Sequence, residues 1–351
     1  MQRLLVTTDA VGGVWRYALD LAGGLADRGI ETVLAVMGPP ADATQRKEAE
    51  AVRGLRLVQT GLPLDWTADS PAALASASAK LAALAALTGV SAVHLHAPAL
   101  VGGQPWSVPV VAVAHSCVGT WWRSVRGGEM PADFRWRTEA AAAGLHVVAA
   151  VIAPTAAYAA LLQEVYGPVP VQVVHNGHDP TPLPSGPRER AVLTAGRLWD
   201  EGKGVARLDQ AAAGLGAPVR AAGPVKGPDG AAATFANLDL LGTLDPAGMT
   251  AAYAGAAVFA SMARYEPFGL AVLEAAQAGM ALVLSDLPGF RELWDGAALF
   301  VGEGDDLAAA LRRALDDPAP LAAAARQRGM RYTADAMTHA TLAVHRSAAL
   351  A

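Results

Sequence analysis

Two glutamates eight positions apart bracket a Pro-Phe-Gly step in the run Arg264-Tyr265-Glu266-Pro267-Phe268-Gly269-Leu270-Ala271-Val272-Leu273-Glu274-Ala275. Paired carboxylates are the acid/base equipment of a glycosidase, but their spacing speaks against that chemistry. Eight helical steps rise by about 12 Å, whereas a working carboxylate pair stands about 5–5.5 Å or 6.5–9.5 Å apart. Carboxylates held so far apart suit the hydroxyls at the two ends of an elongated ligand, and a nucleotide sugar has that form. The same residues also read as a helix start aimed at an anion. Pro267 suits the first helical position, and Gly269 lets a ligand approach the backbone closely. The free amides of a first turn, with the helix dipole behind them, make a phosphate site. A plain helix, with Glu266 as its N-cap and Glu274 on its exposed face, fits the same letters.

A second group supplies positive charge. Ala195-Gly196-Arg197-Leu198-Trp199-Asp200-Glu201-Gly202-Lys203-Gly204 follows an apolar run and superficially resembles a P-loop. Five residues rather than four separate Gly196 from Gly202, and Gly204 stands where a magnesium-binding Ser or Thr would be. A metal-bound nucleoside triphosphate is therefore not expected. Arg197 and Lys203 suggest a metal-free cationic clamp on a diphosphate instead. The chain has only four lysines, Lys47, Lys80, Lys203 and Lys226, so a lysine in this loop carries some weight. A solvated loop charge is the competing explanation.

Near the start, Thr7-Thr8-Asp9-Ala10-Val11-Gly12-Gly13-Val14-Trp15-Arg16-Tyr17 places a glycine pair between an apolar run and a helical one. Such a turn can set backbone amides beside a phosphate, and can equally be structural. It lacks the three spaced glycines and the later acid of the dinucleotide fingerprint, so a nicotinamide-dependent oxidoreductase is a poor fit. His94 and His96, two apart on a strand, should share one side, and no third metal ligand stands out. His115 follows another apolar run and should lie at its carboxyl end, where it could orient a hydroxyl. A reactive pairing of His115 with Cys117 is weaker than a buried, inert cysteine. His175 and His178 flank Asn176-Gly177 and read as caps of a hinge. Trp121-Trp122-Arg123, with Phe134-Arg135-Trp136-Arg137 after it, could stack on a sugar acceptor or touch a membrane interface. A partly buried helix with solvated arginines explains the same residues.

The elements that must hold these groups alternate strand and helix. Apolar runs at Leu4–Thr7, Glu31–Val36, Ala92–Leu95, Val108–Ala114, Val147–Ile152 and Val171–Val174 are interleaved with helical stretches Arg16–Arg28, Pro71–Thr88 and Ala156–Val165. A Pro/Gly-rich stretch from Asn176 to Pro187 reads as a linker. The same grammar then repeats: strands at Ala191–Ala195, Val219–Ala222, Leu238–Leu241, Val258–Ala260 and Ala281–Leu284. Helices are expected at Val205–Leu215, Pro246–Ala254, Gly269–Ala278, Asp305–Leu315, Pro320–Arg328 and Ala334–Leu350. Continuous apolar runs imply strands covered on both faces, hence two doubly wound parallel sheets, with ligands at the carboxyl ends of the strands. The expected division is an acceptor domain at 1–178, a donor domain at 189–333 and a terminal helix at 334–351.

Composition agrees with two cores. The chain has 351 residues, 53% hydrophobic and 17% charged, with a net charge of −5. That charge argues against general nucleic-acid binding. The single Cys117 allows no intramolecular disulfide and fits a reducing compartment. No signal peptide and no membrane span are expected: the Ala-rich run 72–88 carries Lys80 and serines and reads as a soluble helix, and 145–162 is interrupted by His146 and Pro154.

Taken in this order, the motifs resemble the retaining glycosyltransferases of family four, which have the GT-B fold. The likeness runs along nearly the whole chain, and Gly196-Arg197 with Lys203-Gly204 and Glu266-Pro267-Phe268-Gly269 with Glu274 carry most of it. It implies two Rossmann-like domains facing each other across an interdomain cleft, with the C-terminal helix crossing back to the N-terminal domain. It also implies roles. Arg197 and Lys203 would bind the donor diphosphate and stabilise the leaving phosphate. Glu266 would hold the transferred sugar, and Glu274 the ribose. Backbone amides of Phe268, Gly269 and Leu270 would contact sugar and phosphate, with Gly12 and Gly13 closing from the other domain. The base would lie near Thr243 and Leu244, and His115 near the reacting centre. Trp121, Trp122 and Arg123 are the acceptor candidates. The resemblance implies no metal and no cofactor, with a UDP- or GDP-sugar as co-substrate, and a front-face mechanism retaining the anomeric configuration. A cytoplasmic protein is expected, with peripheral contact at the inner face of the membrane left open, as are the acceptor and the oligomeric state. A non-catalytic nucleotide-sugar binder is the rival function.

Overall fold

The computed structural model describes residues 1–184, 186–227 and 230–350. The chain forms two compact units, one of Met1–Gly177 with Ala334–Ala351, the other of His178–Thr333.

Unit 1 begins β1 (Arg3–Asp9), α1 (Gly13–Ala26), β2 (Glu31–Met37), α2 (Ala43–Glu50), β3 (Leu55–Gln59), α3 (Pro71–Thr88) and β4 (Ala92–Leu95). It continues β5 (Val110–Val113), α4 (Val118–Val125), α5 (Ala132–Leu145), β6 (Ala150–Ala153), α6 (Ala156–Tyr166) and β7 (Val171–Val173). The seven strands lie in the order β3-β2-β1-β4-β5-β6-β7, and every adjacent pair is parallel. The order reverses between β1 and β4, so the loops leaving those two strands diverge and open a crevice at their carboxyl ends. Leu4, Leu5, Val6, Val93 and Val111 are fully buried, as a sheet covered on both faces requires.

Unit 2 repeats the plan with β8 (Glu189–Ala195), α7 (Val205–Ala212), β9 (Val219–Ala222), β10 (Asp239–Gly242), α8 (Pro246–Gly255) and β11 (Ala256–Ser261). Then follow α9 (Leu270–Gln277), β12 (Ala281–Ser285), α10 (Pro288–Trp294), β13 (Leu299–Val301), α11 (Leu307–Asp316) and α12 (Ala319–Gly329). The sheet order is β10-β9-β8-β11-β12-β13, parallel throughout, with the reversal between β8 and β11. Strand periodicity divides its core in two. Leu193, Phe259, Leu282 and Leu284 join one apolar cluster, while Val192, Val258, Ala260 and Val283 join another on the opposite face.

The last helix, α13 (Ala334–Ala348), returns to unit 1 and packs against α1, β5 and β6. A polar seam fixes it there. His345 Nε2 lies 3.0 Å from His94 Nδ1, and Tyr17 Oη lies 3.4 Å from His94 Nε2. Arg28 pairs with Asp335 at 2.5 Å. Burial holds the imidazole of His345 down to about 4 and that of His94 well below its ordinary 6.5.

Several expectations need adjusting. Two edge strands, β3 and β13, and the helices α2 and α10 were not expected. Leu55–Gln59 has no fully buried residue, so it lacks the continuous apolar run that marks a central strand. Val147 is exposed and lies outside β6. One helix, α3, does have the length and apolarity to cross a membrane, with 18 residues and mean hydropathy 1.3. Alanine supplies much of that value, and one face (Leu74, Ala77, Leu81, Ala85) is buried in unit 1.

The histidine seam sets an acid limit. A histidine whose folded value is depressed adds stability above its unfolded value of about 6.5, and that stability is lost as pH falls toward the folded value. For His345, with a folded value near 4, the loss should reach about 2–3 kcal/mol by pH ~4.5. Urea unfolding should give constant stability at neutral and mildly alkaline pH and a decline below about 6.5. His345→Gln should flatten that decline, and an identical decline in the variant would refute the assignment.

Candidate functional site

The switch point of unit 2 brings together the loops that leave β8 and β11. After β8 the chain turns through a short 3-10 segment, Glu201–Lys203, and Gly204 enters α7 with φ 62°. A Cβ on Gly204 would lie 1.9 Å from the carbonyl oxygen of Met262, so only glycine lets the two loops meet. The amides of Arg264 and Tyr265 both donate to the carbonyl of Gly202, at 2.8 and 3.2 Å. The loops are thus joined through their backbones before any side chain is considered.

Charge is paired within this frame. Lys203 Nζ donates to Glu266 Oε2 at 2.6 Å, and the two side chains are 23% and 16% exposed. Arg197 Nη2 donates to Asp200 Oδ2 at 2.9 Å, and its guanidinium lies 5.8 Å from the Trp199 ring centre. The other oxygen of Asp200 accepts the Gly202 amide at 2.9 Å. Asp200 is buried, and it ties the arginine to the same turn that presents Lys203.

The helix start differs from its sequence-based description. α9 begins at Leu270, and its N-cap is Gly269 at φ 92°. That left-handed residue cannot continue a helix backwards, so Pro267 stands in the turn before the helix rather than at its first position. Glu266 likewise lies outside the helix and is not its N-cap. The helical rise of 12 Å therefore does not apply to the Glu266–Glu274 span. The separate partners distinguish the two acids instead, since Glu274 accepts from Tyr253 Oη at 2.7 Å. Burial and the Glu274 charge push the Tyr253 hydroxyl well above its ordinary value, so it stays a donor. Phe268 is 3% exposed and packs edge-on against Tyr332, their centroids 5.9 Å apart. Its ring belongs to the core. Thr243 and Leu244 follow β10; Thr243 is exposed and Leu244 packs partly on the core.

In unit 1 the candidates gather at the carboxyl ends of β1, β4 and β5. Gly12 is the N-cap of α1, and its amide already donates to Asp9 Oδ1 at 3.0 Å, beside that of Val11 at 2.8 Å. The glycine turn is thus closed by its own aspartate, and the exposed Gly13 comes next in the chain. His115 follows β5, and its imidazole stands 4.5 Å from Tyr17 and 4.9 Å from His96 between ring centres. Burial lowers it to about 3, so it is neutral at pH 7. His94 and His96 do share a side, with centroids 5.0 Å apart. Cys117 Sγ lies 3.0 Å from both Thr120 Oγ1 and Tyr166 Oη. Trp121, Trp122 and Arg123 lie on α4; Trp122 leans on Phe134, and Arg123 is ion-paired with Glu164 at 2.6 Å on an exposed face. Among the described residues no three His, Cys, Asp or Glu side chains gather as a metal-ligand set.

Sequence reasoning passed over Asp200, Tyr253 and Asp9. Asp200 and Asp9 had a usable signal, an aspartate two or three residues before a glycine amide that it caps. Tyr253 had none, because it reaches Glu274 from a different helix.

Residues 11–181 match the model of Glycosyltransferase Family 4, and residues 189–317 that of Glycosyl transferases group 1. The chain belongs to the family-four glycosyltransferases. Its fold is GT-B. Similar solved structures include the sucrose-phosphate synthase of Thermosynechococcus elongatus, at 20% identity and TM-score 0.78, covering 99% of this chain and 98% of that one. Anabaena HepE in complex with UDP and glucose is 16% identical with TM-score 0.74, covering 98% of each chain. WaaG, a glycosyltransferase involved in lipopolysaccharide biosynthesis, is 16% identical with TM-score 0.71, covering 97% of this chain and 98% of that one. Likeness at such identities shows the fold. Glycogen synthases from two strains of Mycobacterium tuberculosis are 44% identical over 86 residues, 23% of this glycosyltransferase and 20% of the synthases. That match spans about a fifth of the length of the curated relatives.

Asp200 is the pivot of the cationic loop, and its removal should show it. Asp200→Ala leaves a buried amide and Arg197 without their acceptor, which should lower the stability of unit 2 by about 1–3 kcal/mol. Urea unfolding followed by a probe in unit 2 would measure it. Unchanged stability would mean that the loop is held by its backbone contacts alone.

Proposed function

We propose that this glycosyltransferase moves a sugar from a nucleotide-diphosphate sugar to a hydroxyl acceptor, with retention of configuration and without a metal. The observation that carries this reading is the Lys203–Glu266 ion pair at the carboxyl ends of β8 and β11. It sets a cation and a hydroxyl-binding carboxylate side by side, next to the N-terminus of α9. In this reading Lys203 and Arg197 take up the diphosphate, whose charge grows as the glycosidic C–O bond breaks, and the amides of Phe268, Gly269 and Leu270 add to them. Two side-chain cations there supply the charge that a metal otherwise would. HepE, solved in complex with UDP and glucose, supports a UDP-sugar as donor.

Glu266 then binds hydroxyls of the transferred sugar. Its pairing with Lys203 supports that role over attack on the anomeric carbon. Glu274, fixed by Tyr253, holds the ribose, and Thr243 with Leu244 flank the base. The acceptor oxygen forms its bond to the anomeric carbon on the face the phosphate leaves, and its proton passes to the departing phosphate oxygen. Neutral His115 and the backbone near Gly13 are the contributions assigned to unit 1, and Trp121, Trp122 and Arg123 the outer acceptor contacts. A cytoplasmic setting completes the reading, on the single cysteine.

A thermal-shift panel of UDP, GDP and ADP tests the donor. The true base at about 100 times its dissociation constant should stabilise by roughly 2.7 kcal/mol. With the donor so identified, Lys203→Ala and Glu266→Gln should each lower kcat/KM by about 100–1000-fold, as loss of a charge-stabilising contact does. Folded variants with unchanged turnover would sink the site assignment.

A further inference from the structure

Helix α8 ends without a turn of its own. Ala256, its C-cap, is already extended at φ −109° and ψ 147° and opens β11, so the last carbonyls of the helix need partners from elsewhere. Helix α9 ends on Gly279 at φ 77°. There the amides of Gly279 and Met280 donate to the carbonyls of Ala276 and Ala275, at 2.9 and 3.0 Å. The carbonyl of Ala278 is not served by that turn. One side chain meets the needs of both helices. Arg188 Nη1 donates to the carbonyl of Tyr253 and, at 2.8 Å, to that of Ala256, while Nη2 donates to the carbonyl of Ala278.

Arg188 precedes β8, so it stands at the amino end of the unit 2 sheet, away from the loops that carry Lys203 and Glu266. It is half-buried, and all its hydrogen bonds among the described residues go to main-chain carbonyls. Burial and the neighbouring Arg326 both act against its charge. The partial negative charge at two helix C-termini favours a cation there, and a planar guanidinium can span both where the single nitrogen of a lysine cannot. The residues it grips are the ones that carry the Tyr253–Glu274 pair. Tyr253 is held at its carbonyl by Arg188 and reaches with its hydroxyl to Glu274 Oε2 at 2.7 Å. Its ring is buried against Phe259, the centroids 6.2 Å apart. The amide of Ala278 donates to the carbonyl of Glu274 at 2.9 Å, so the second grip lies one helical turn from the acid. Glu274 is only partly buried, and its Oε1 has no hydrogen-bond partner among the described residues.

We infer that Arg188 is a positioning residue for the ribose of the donor. By tying the ends of α8 and α9 together it keeps Tyr253 Oη on Glu274 Oε2, which leaves Oε1 in one orientation to accept from a ribose hydroxyl. The inference rests on the ribose-binding role proposed above for Glu274, and adds that this role is set from the far end of the sheet.

Isothermal titration calorimetry of the full chain tests it, with UDP and 2′,3′-dideoxy-UDP as probes, or the corresponding pair for GDP or ADP if that nucleotide binds instead. Each variant is measured well below its own melting midpoint. The native protein should prefer the ribonucleotide by about 10–100-fold, the effect of hydrogen bonds to a charged acceptor. Arg188→Lys and Arg188→Gln, which cannot bridge both helices, and Tyr253→Phe should each cut that preference at least about five-fold, with dideoxynucleotide affinity kept within about two-fold. Adding Arg188→Lys to Tyr253→Phe should cost no further preference, because both act through one hydrogen bond. Arginine variants that melt earlier yet keep the native preference would make Arg188 a purely structural cap and overturn the inference. A further loss in the double variant would do the same. Glu274→Gln separates this inference from the reading beneath it. A preference unchanged by Glu274→Gln would overturn the ribose role itself, and the part of Arg188 with it. A preference lost there and kept in both arginine variants would overturn the part of Arg188 alone.

Discussion

The parallel pairing of β8 with β11 is the constraint on which unit 2 depends. Those strands come from distant parts of the chain, and each must be covered on both faces, so helices leave them in opposite directions. The loops above their carboxyl ends are left facing each other across a narrow gap. Gly204 against Met262, and the Gly202 carbonyl shared by two amides, close that gap to backbone contact. Lys203 and Glu266 can be neighbours only because the backbone has already met.

The two units solve the problem of polar groups at a sheet end in opposite ways. Unit 2 keeps full charges and pairs them: Lys203 with Glu266, Arg197 with Asp200. A paired ion is held in place without being neutralised, and it can exchange its partner for a ligand of the same sign at little net loss of Coulomb energy. Unit 1 removes charge instead, by burying His94, His96, His115 and His345 together with Tyr17 until they are neutral. The side chains gathered in unit 2 are thereby charged and paired, and the buried histidines of unit 1 uncharged.

Much of this is legible in the amino-acid sequence. Continuous apolar runs marked the central strands of both sheets, and Ala92–Leu95 and Val219–Ala222 coincide with the expected limits. Two of the four edge strands escaped: in β3 an arginine interrupts the apolar pattern, and β13 is only three residues long. The loop cations and glycines around Arg197, Lys203 and Glu266 were legible as types and spacings. Their partners were less so. The Lys203–Glu266 contact spans 63 positions and the Tyr253–Glu274 contact 21, distances along the chain at which no periodicity operates. The helix starts at Leu270 rather than at Pro267, because the left-handed Gly269 forbids a helix from reaching back to the proline.

The chain crosses from unit 1 to unit 2 once and comes back once, so that α13 completes a core begun by β1. Unit 2 is in this sense an insertion within unit 1. During synthesis, domains commonly fold as units in the order in which they emerge. Here the order inverts. The first unit to emerge lacks the helix that covers Tyr17 and His94 until α13 has itself been made, while the second has all of its strands some way earlier. The N-terminal sheet must therefore wait, partly uncovered, for a completed neighbour to pass before it can close.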